Sequence, residues 1–426
     1  MGGGWGLAWQ SGGGSVSRAE CAQRDSDDPL ACRRDLFVLP DGVIYLDGNS
    51  LGALVRTVPE RMRAAVEDEW GSGLIRSWND ADWYTAPQRV GAQLAALVGA
   101  DADEVIVCDS TSVNLFKVLV AAARLEPTRR TIVTDETTFP TDAYVTTEAA
   151  GLTGTVVSSV APGEVVAAME AAGDDLLAVS LTDVDYRTAR RHDMRAITQR
   201  AHELGGLAVW DLCHSAGVLP VDLDGCGVDL AVGCTYKYLN GGPGSPAFVF
   251  VAARHLDAIQ QPLPGWHGHA RPFALEAAYE PAPGIVRMLS GTAPQLGLLA
   301  LEAALTAYDD VALDDVRAKS VALTEAFIEL ADERLEAHGF TVASPRRSAE
   351  RGSHVALGHD HAYGITQALI ARGVIGDFRE PNLVRLGFAP LYVRHVDVWD
   401  AVELLVDVME REEWSDAAHQ QRNAVT

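Results

Sequence analysis

No apolar run in this 426-residue chain approaches the roughly 18 to 20 residues that a membrane-spanning helix needs. Its start, MGGGWGLAWQSGGGSVSR, lacks a basic segment followed by an apolar core, so it does not read as a secretory signal. The glycine content there predicts a floppy leader over residues 1–20. Basic residues are scarce, 34 Lys and Arg against 59 Asp and Glu, and a net charge of −25 argues against nucleic acid or an anionic membrane as partner. The six cysteines form no CxxC pair and read as reduced, mostly buried thiols of a cytoplasmic protein. Neither His267-x-His269 nor His359-x-His361 has a Cys or Glu partner at a recognised spacing, so no metal site is expected. Gly241 to Ser245 is no P-loop, because Lys-Ser/Thr does not follow. No internal repeat is visible.

What the chain does have is length for two or three lobes, an ordinary 48% of apolar residues, and one unusually dense stretch. Leu207 to Trp210 is a short apolar run that predicts a buried strand, with Asp211 and His214 just past it. A second run, Val228 to Val232, leads to Tyr236 and Lys237. Gly241-Gly242-Pro243-Gly244 then forces a turn before a third strand, Ala247 to Val251. Open α/β sheets build their sites at the carboxyl ends of strands. An acid and a lysine presented there suit pyridoxal phosphate, whose aldehyde a lysine binds and whose ring nitrogen an aspartate keeps protonated.

From about Trp83 the pattern alternates. Val105 to Cys108, Ile132 to Thr134, Val156 to Ser159 and Leu177 to Leu181 read as strands. Helices are expected over 112–123, 165–172 and 194–204, which implies a largely parallel sheet covered on both faces. Before it, Val43 to Leu46 is extended, Asp47 to Gly52 is a turn, and Pro59 to Trp70 has helical spacing ended by Gly71-Ser72-Gly73. Beyond Gly291, helices over 294–308, 316–338, 363–371 and 396–411 surround short strands near Val355 and Leu383. The expected organisation is a leader (1–20), an amino-terminal arm (21–80), a large α/β domain (81–292) and a smaller α+β domain (293–426).

Further candidates follow strand ends. Asp109-Ser110-Thr111-Ser112 opens a helix with hydroxyls and free N–H groups, either as a phosphate site or as an ordinary N-cap. Phe139, in Phe139-Pro140-Thr141-Asp142, stacks on a ring or belongs to the core. Arg385, among apolar neighbours, offers the planar guanidinium that meets a carboxylate with two hydrogen bonds.

These segments resemble the kynureninases, a family of fold-type-I pyridoxal-phosphate hydrolases related to aminotransferases. The resemblance is carried by DLCHSAG (211–217), GCTYKYLNGGPGS (233–245), TSVNL (111–115), FPTD (139–142), GNSLG (48–52) and RSWN (76–79), and runs from about Cys32 to the carboxyl end. It implies a mostly parallel seven-stranded sheet with a smaller α+β domain, and hydrolytic Cβ–Cγ cleavage of L-kynurenine to anthranilate and alanine. This serves tryptophan degradation or NAD biosynthesis. It further implies Lys237, Tyr236 and Asp211 as catalytic residues. Cofactor contacts would come from these and from Thr111, Ser112, Phe139, Asp142, Thr182, His214, Trp266 and Thr292. Ser50, Trp78 and Arg385 would meet the substrate. Trp266 and Thr292 match positions that reach across a homodimer, giving composite sites. Trp78, in the segment of the bacterial-type enzymes, implies a preference for kynurenine over 3-hydroxykynurenine, or else packs the amino-terminal arm. His267 departs from the family, standing where an aromatic residue is expected. A cysteine desulfurase or aminotransferase is the rival within the fold, although desulfurases usually carry His where Tyr236 stands. A regulatory protein that binds the cofactor without turnover is the rival outside it, and would need a broken site.

Overall fold

Seven short segments, most of them buried, form the central sheet of the larger of two units, Ser50–Tyr186 with Arg191–Asp310. In the computed structural model, which describes residues 16–423, they are β1 (Val105–Val107), β2 (Thr131–Asp135), β3 (Val156–Val160), β4 (Leu176–Thr182), β5 (Leu207–Asp211), β6 (Leu230–Gly233) and β7 (Phe248–Val251). Their order is β1-β7-β6-β5-β4-β2-β3. β7 runs antiparallel to both neighbours, and every other pairing is parallel. All residues of β4, β5, β6 and β7 are buried. That is why they show no in–out alternation, as expected for strands covered on both faces. Register places Thr182 of β4 opposite Asp211 of β5, and Asp211 opposite Val232 of β6. Three adjacent parallel strands therefore end at one edge of the sheet.

Helices Ala86–Val98, Thr111–Leu125, Pro140–Thr153, Val165–Ala172 and Met194–Glu203 belong to this unit. The expected helix over 59–70 is corrected. It runs as an α-helix from Thr57 to Ala64 and continues as a π-helix, Ala65–Gly73, through the glycines meant to end it. Two hydroxyls satisfy carbonyls of the wider turns, Ser72 donating to Glu67 O at 3.2 Å and Ser77 to Glu69 O at 2.6 Å. The break falls at Leu74, which takes a left-handed φ of 55°.

The smaller unit comprises Met1–Asn49, Arg187–Arg190 and Val311–Thr426. Its antiparallel sheet has the order β8-β9-β11-β10, from β8 (Thr341–Val342), β9 (His354–Gly358), β10 (Asp377–Arg379) and β11 (Leu383–Gly387). Helices Arg18–Asp27, Leu313–Arg334, Ala362–Ala371 and His395–Glu410 accompany it. Ile44–Tyr45 of the amino-terminal arm pairs in parallel with Val374–Ile375. The leader expected over 1–20 meets a helix that has begun by Arg18, where Ser17 and Glu20 form a reciprocal capping box. Residues 1–15 lie outside the described range. The division of the chain falls at 49/50 and 310/311, where the sequence reading put 80/81 and 292/293. Among the described residues, no helix is long and apolar enough to cross a membrane.

Candidate active site

Asp211 ends β5 with 5% of its surface exposed, and its Oδ1 accepts the Cys213 N–H at 2.7 Å. Asp142, in the first turn of helix Pro140–Thr153, accepts from Thr182 Oγ1 at 3.2 Å and from Thr138 Oγ1 at 3.5 Å. The Asp142 carboxyl is pushed well above the usual carboxylate range, by burial first and then by the Asp211 carboxylate beside it. Two acids thus share one buried place, and the nearby Lys237 only partly offsets their repulsion.

Lys237 follows β6. Its Nζ lies 2.9 Å from His214 Nε2, and His214 is buried. The lysine count sharpens this, because the whole chain has three lysines, Lys117, Lys237 and Lys319. Lys117 is paired with Asp109 and donates to Met288 O at 2.7 Å, while Lys319 is 2.6 Å from Asp28. Lys237 alone of the three meets an imidazole. Backbone packing holds it there, since Gly52 N–H donates to Tyr236 O at 2.7 Å. A Cβ on Gly52 would stand 2.2 Å from Lys237 O, which explains the last glycine of GNSLG.

Tyr236 is kept protonated by burial and by the neighbouring Cys234 and Cys213 thiols, which push its phenol upward. The two cysteines lie together, Cys234 N–H donating to Cys213 Sγ at 3.2 Å, and Thr111 Oγ1 is 3.6 Å from that sulfur. The start of helix Thr111–Leu125 is thereby brought to the end of β5. Ser110 is the N-cap, accepting from Val113 N at 3.4 Å, so the Thr111 and Ser112 hydroxyls are not the cap acceptors. Phe139 is 44% exposed and meets Tyr186 edge-on at 5.1 Å, so it is not core.

A second group in the same unit is aromatic. Trp78 meets Trp266 edge-on at 6.0 Å, and Trp266 donates from Nε1 to Thr292 Oγ1 at 3.3 Å. His267 is buried, stacks on Trp266 at 4.9 Å and donates from Nε2 to Tyr84 O at 3.1 Å. Burial pushes its imidazole downward, toward the neutral form. The aromatic expected at this position is thus replaced by a neutral ring that stacks as one.

Arg385 belongs to the smaller unit and is 1% exposed on β11. Its Nε donates to Asp377 Oδ1 at 2.7 Å, and its Nη2 donates to Asp377 Oδ2. Asn49, fully buried, accepts from Arg385 Nε at 3.0 Å and Nη2 at 3.2 Å when its amide oxygen faces the guanidinium. Ser50, the neighbour named from the sequence, is half-buried at the start of the other unit. Nothing in the sequence singles out Asn49, Asp377 or the cysteine pair, whereas the scarcity of lysine points to Lys237.

The donor set fits pyridoxal phosphate. Two buried carboxylates, one forced toward protonation, suit a ring nitrogen that brings a proton. A helix start with two hydroxyls suits a phosphate. A lysine amine stands by for the aldehyde. A family model described as the kynureninase C-terminal domain matches residues 316–405. Kynureninase from Pseudomonas fluorescens is 49% identical over 420 residues, 96% of this chain and all of that one. Kynureninase from Burkholderia mallei (strain SAVP1) is 48% identical over the same shares. Among solved structures, a cysteine desulfurase from Thermococcus onnurineus NA1 superposes with a TM-score of 0.74 at 18% identity, covering 89% of this chain and 98% of that one. A mutant C-DES structure, with glycine covalently linked to its pyridoxal phosphate, gives 0.75 at 17% identity, covering 87% and 98%. These distant likenesses establish the fold, a mostly parallel α/β sheet of fold type I. With near full-length relatives at almost half identity, this chain belongs to the kynureninases, hydrolases acting on carbon–carbon bonds.

Proposed function

We propose that this chain hydrolyses L-kynurenine to anthranilate and L-alanine, with Lys237 as both the anchor of pyridoxal phosphate and the base at the substrate's Cα. The observation that carries the assignment is the place of Lys237, beside His214 and the Asp142–Asp211 pair, while the two other lysines are tied to carboxylates. When bound, pyridoxal phosphate draws electrons away from Cα. Asp211 would keep a proton on the ring nitrogen, with Asp142 and Thr182 supporting that end of the ring. Thr111, Ser112 and the Tyr236 hydroxyl would hold the phosphate, Phe139 would pack against the ring, and His214 holds the Lys237 amine. Arg385 takes the substrate α-carboxylate. Lys237 removes the Cα proton. Water adds to the side-chain carbonyl, the Cβ–Cγ bond breaks with release of anthranilate, Tyr236 takes part in delivering a proton to Cβ, and the proton taken by Lys237 is returned to Cα as alanine leaves. Purified protein given the cofactor and L-kynurenine yields anthranilate and alanine in equal amounts; absence of both products rejects the reading.

Trp78, Trp266 and Thr292 form one contiguous group. We read them as a single wall that one subunit of a cytoplasmic homodimer lends to its partner's site. An indole offers an N–H donor and no acceptor to a phenol on the substrate ring. Burying that hydroxyl unpaired costs about 1–3 kcal/mol. The expected kcat/KM for L-kynurenine therefore exceeds that for 3-hydroxykynurenine by about tenfold to a hundredfold. Equal values would remove Trp78 as selector.

The Asp142 shift has a stability consequence. Its folded pKa is raised, so its contribution favours folding at low pH and is lost as pH rises through the folded value. Asp142→Asn, which keeps the acceptor for Thr182, should raise Tm of the cofactor-free protein by a few degrees near pH 7.5, with the gain fading toward pH 4. It should also weaken pyridoxal phosphate binding. Calorimetry across this range checks it, and a gain independent of pH would contradict the assignment.

A further inference from the structure

We infer that Lys117 is a positioning residue for the cofactor's phosphate: paired with Asp109, it sets the turn that presents Thr111 and Ser112. The inference rests on the reading of those two residues as the phosphate seat. The turn joins β1 to helix Thr111–Leu125, within the larger unit. Asp109 takes a left-handed φ of 48° there, which few residues other than glycine adopt. This conformation aims the first N–H groups of the helix, which by their position have no intrahelical acceptor. Any change at Asp109 would therefore turn the whole helix start.

The turn is strapped from both sides. Cys108 N–H donates to Ala247 O at 2.8 Å, and Ala247 N–H donates to Asp109 O at 2.9 Å, which carries the β1–β7 ladder past the strand ends. Asn114 Nδ2 donates to Cys108 O at 2.7 Å, and Lys117 Nζ donates to Asp109 Oδ2. Helix side chains lean toward the amino terminus, so Asn114 and Lys117, three residues apart on one face, both reach back past the cap. The ladder thus holds the Asp109 carbonyl while the lysine holds its carboxylate. Lys117 is anchored in turn by Met288 O at 2.7 Å, and Met288 belongs to the same apolar cluster as Cys108 and Leu115.

Packing by itself does not account for a lysine at this position. The Lys117 side chain is fully buried, whereas that of Asp109 is 29% exposed. A buried ion pair adds little net stability over an apolar side chain of similar volume. Leu115, Val118 and Leu119 show that this helix buries apolar side chains readily. An apolar residue cannot hold a carboxylate that lies outside the helix. An unpaired carboxylate two residues before Thr111 would also repel a phosphate, and the ion pair offsets that charge.

The test measures binding of pyridoxal phosphate and of pyridoxal, which lacks the phosphate, to full-length protein stripped of cofactor, by quenching of tryptophan fluorescence. Lys117→Met should weaken pyridoxal phosphate by about tenfold, the loss of roughly one hydrogen bond to a charged group, and leave pyridoxal unchanged. Asp109→Ala removes the carboxylate and resists the left-handed φ, so it should act in the same way; it carries the test if Lys117→Met does not fold. Asp109→Asn keeps an acceptor and tolerates that φ, and should stay near the wild type. If Lys117 were purely structural, Tm would drop while both ligands weakened together, and the inference would be overturned; unchanged affinities in Lys117→Met would overturn it too. The double variant Thr111→Ala, Ser112→Ala separates the two layers. Preference for the phosphorylated form retained there refutes the phosphate seat itself. Preference lost there but kept in Lys117→Met and Asp109→Ala refutes only the positioning role.

Discussion

Lys237→Ala should lower kcat for L-kynurenine by about 10⁴-fold, the upper range for loss of a positioned base. Two functions fall on this amine, holding the cofactor and moving the Cα proton, and neither has a substitute in the chain. Lys117 is committed to Asp109 and Met288 O, and Lys319 to Asp28 in the other unit. The fold should survive, since among the described residues Lys237 Nζ is held by His214, and the local backbone is held by Gly52 and Asn240. Anthranilate fluorescence measures the rate, and added methylamine should restore a small part of it. Borohydride treatment of the loaded wild-type protein should place the pyridoxyl label on Lys237. Mixing Lys237→Ala with a Trp266→Ala, Thr292→Ala protein should recover activity through hybrid dimers, each holding one intact site. A label on another lysine, or a variant that retains more than a few percent of activity, overturns the assignment; a fully active monomer overturns the shared wall.

The strand-end acid and lysine were legible because β5 and β6 are short apolar runs that stop at polar residues. Parallel strands buried on both faces announce themselves by continuous apolar character, so the sheet was legible too. Helix Pro140–Thr153 was not. Its buried residues are Asp142, Thr146, Ala149 and Ala150, which keep helical spacing, but two of them are polar and leave no apolar stripe to find. The mutual pressure of Asp142 and Asp211 was equally hidden, because it depends on two segments almost seventy residues apart meeting at one sheet edge. The GNSLG motif shows a third kind of limit. Its glycines and Asn49 answer to separate partners, Gly52 to the Lys237 backbone and Asn49 to Gly387 and Arg385. A turn motif read by itself says only that the backbone bends. The π-helical continuation through Gly73 rests on side-chain hydroxyls filling widened turns, which no propensity rule anticipates.

Asp211→Asn should lower kcat/KM by about 10²–10³-fold, the loss typical of removing one preorganised electrostatic partner. The substitution keeps the shape and the acceptor for Cys213 N–H, so it isolates the charge. The size of the fall depends on Asp142. With the Asp211 charge gone, the like-charge pressure on Asp142 is relieved and its carboxyl moves back toward the ordinary range, although burial still holds it up. As it ionises, Asp142 then supplies part of the missing negative charge. Two consequences distinguish this from a simple deletion. The activity of Asp211→Asn should climb with pH as Asp142 ionises, more steeply than that of the wild type. The double variant Asp142→Asn, Asp211→Asn should also fall below the level expected from adding the two single losses, because it removes the substitute along with the principal. Rates for the four proteins across pH 6 to 9 complete the cycle. A double variant no worse than Asp211→Asn alone would mean that Asp142 never takes up the charge, and the two-acid account of the site would fail.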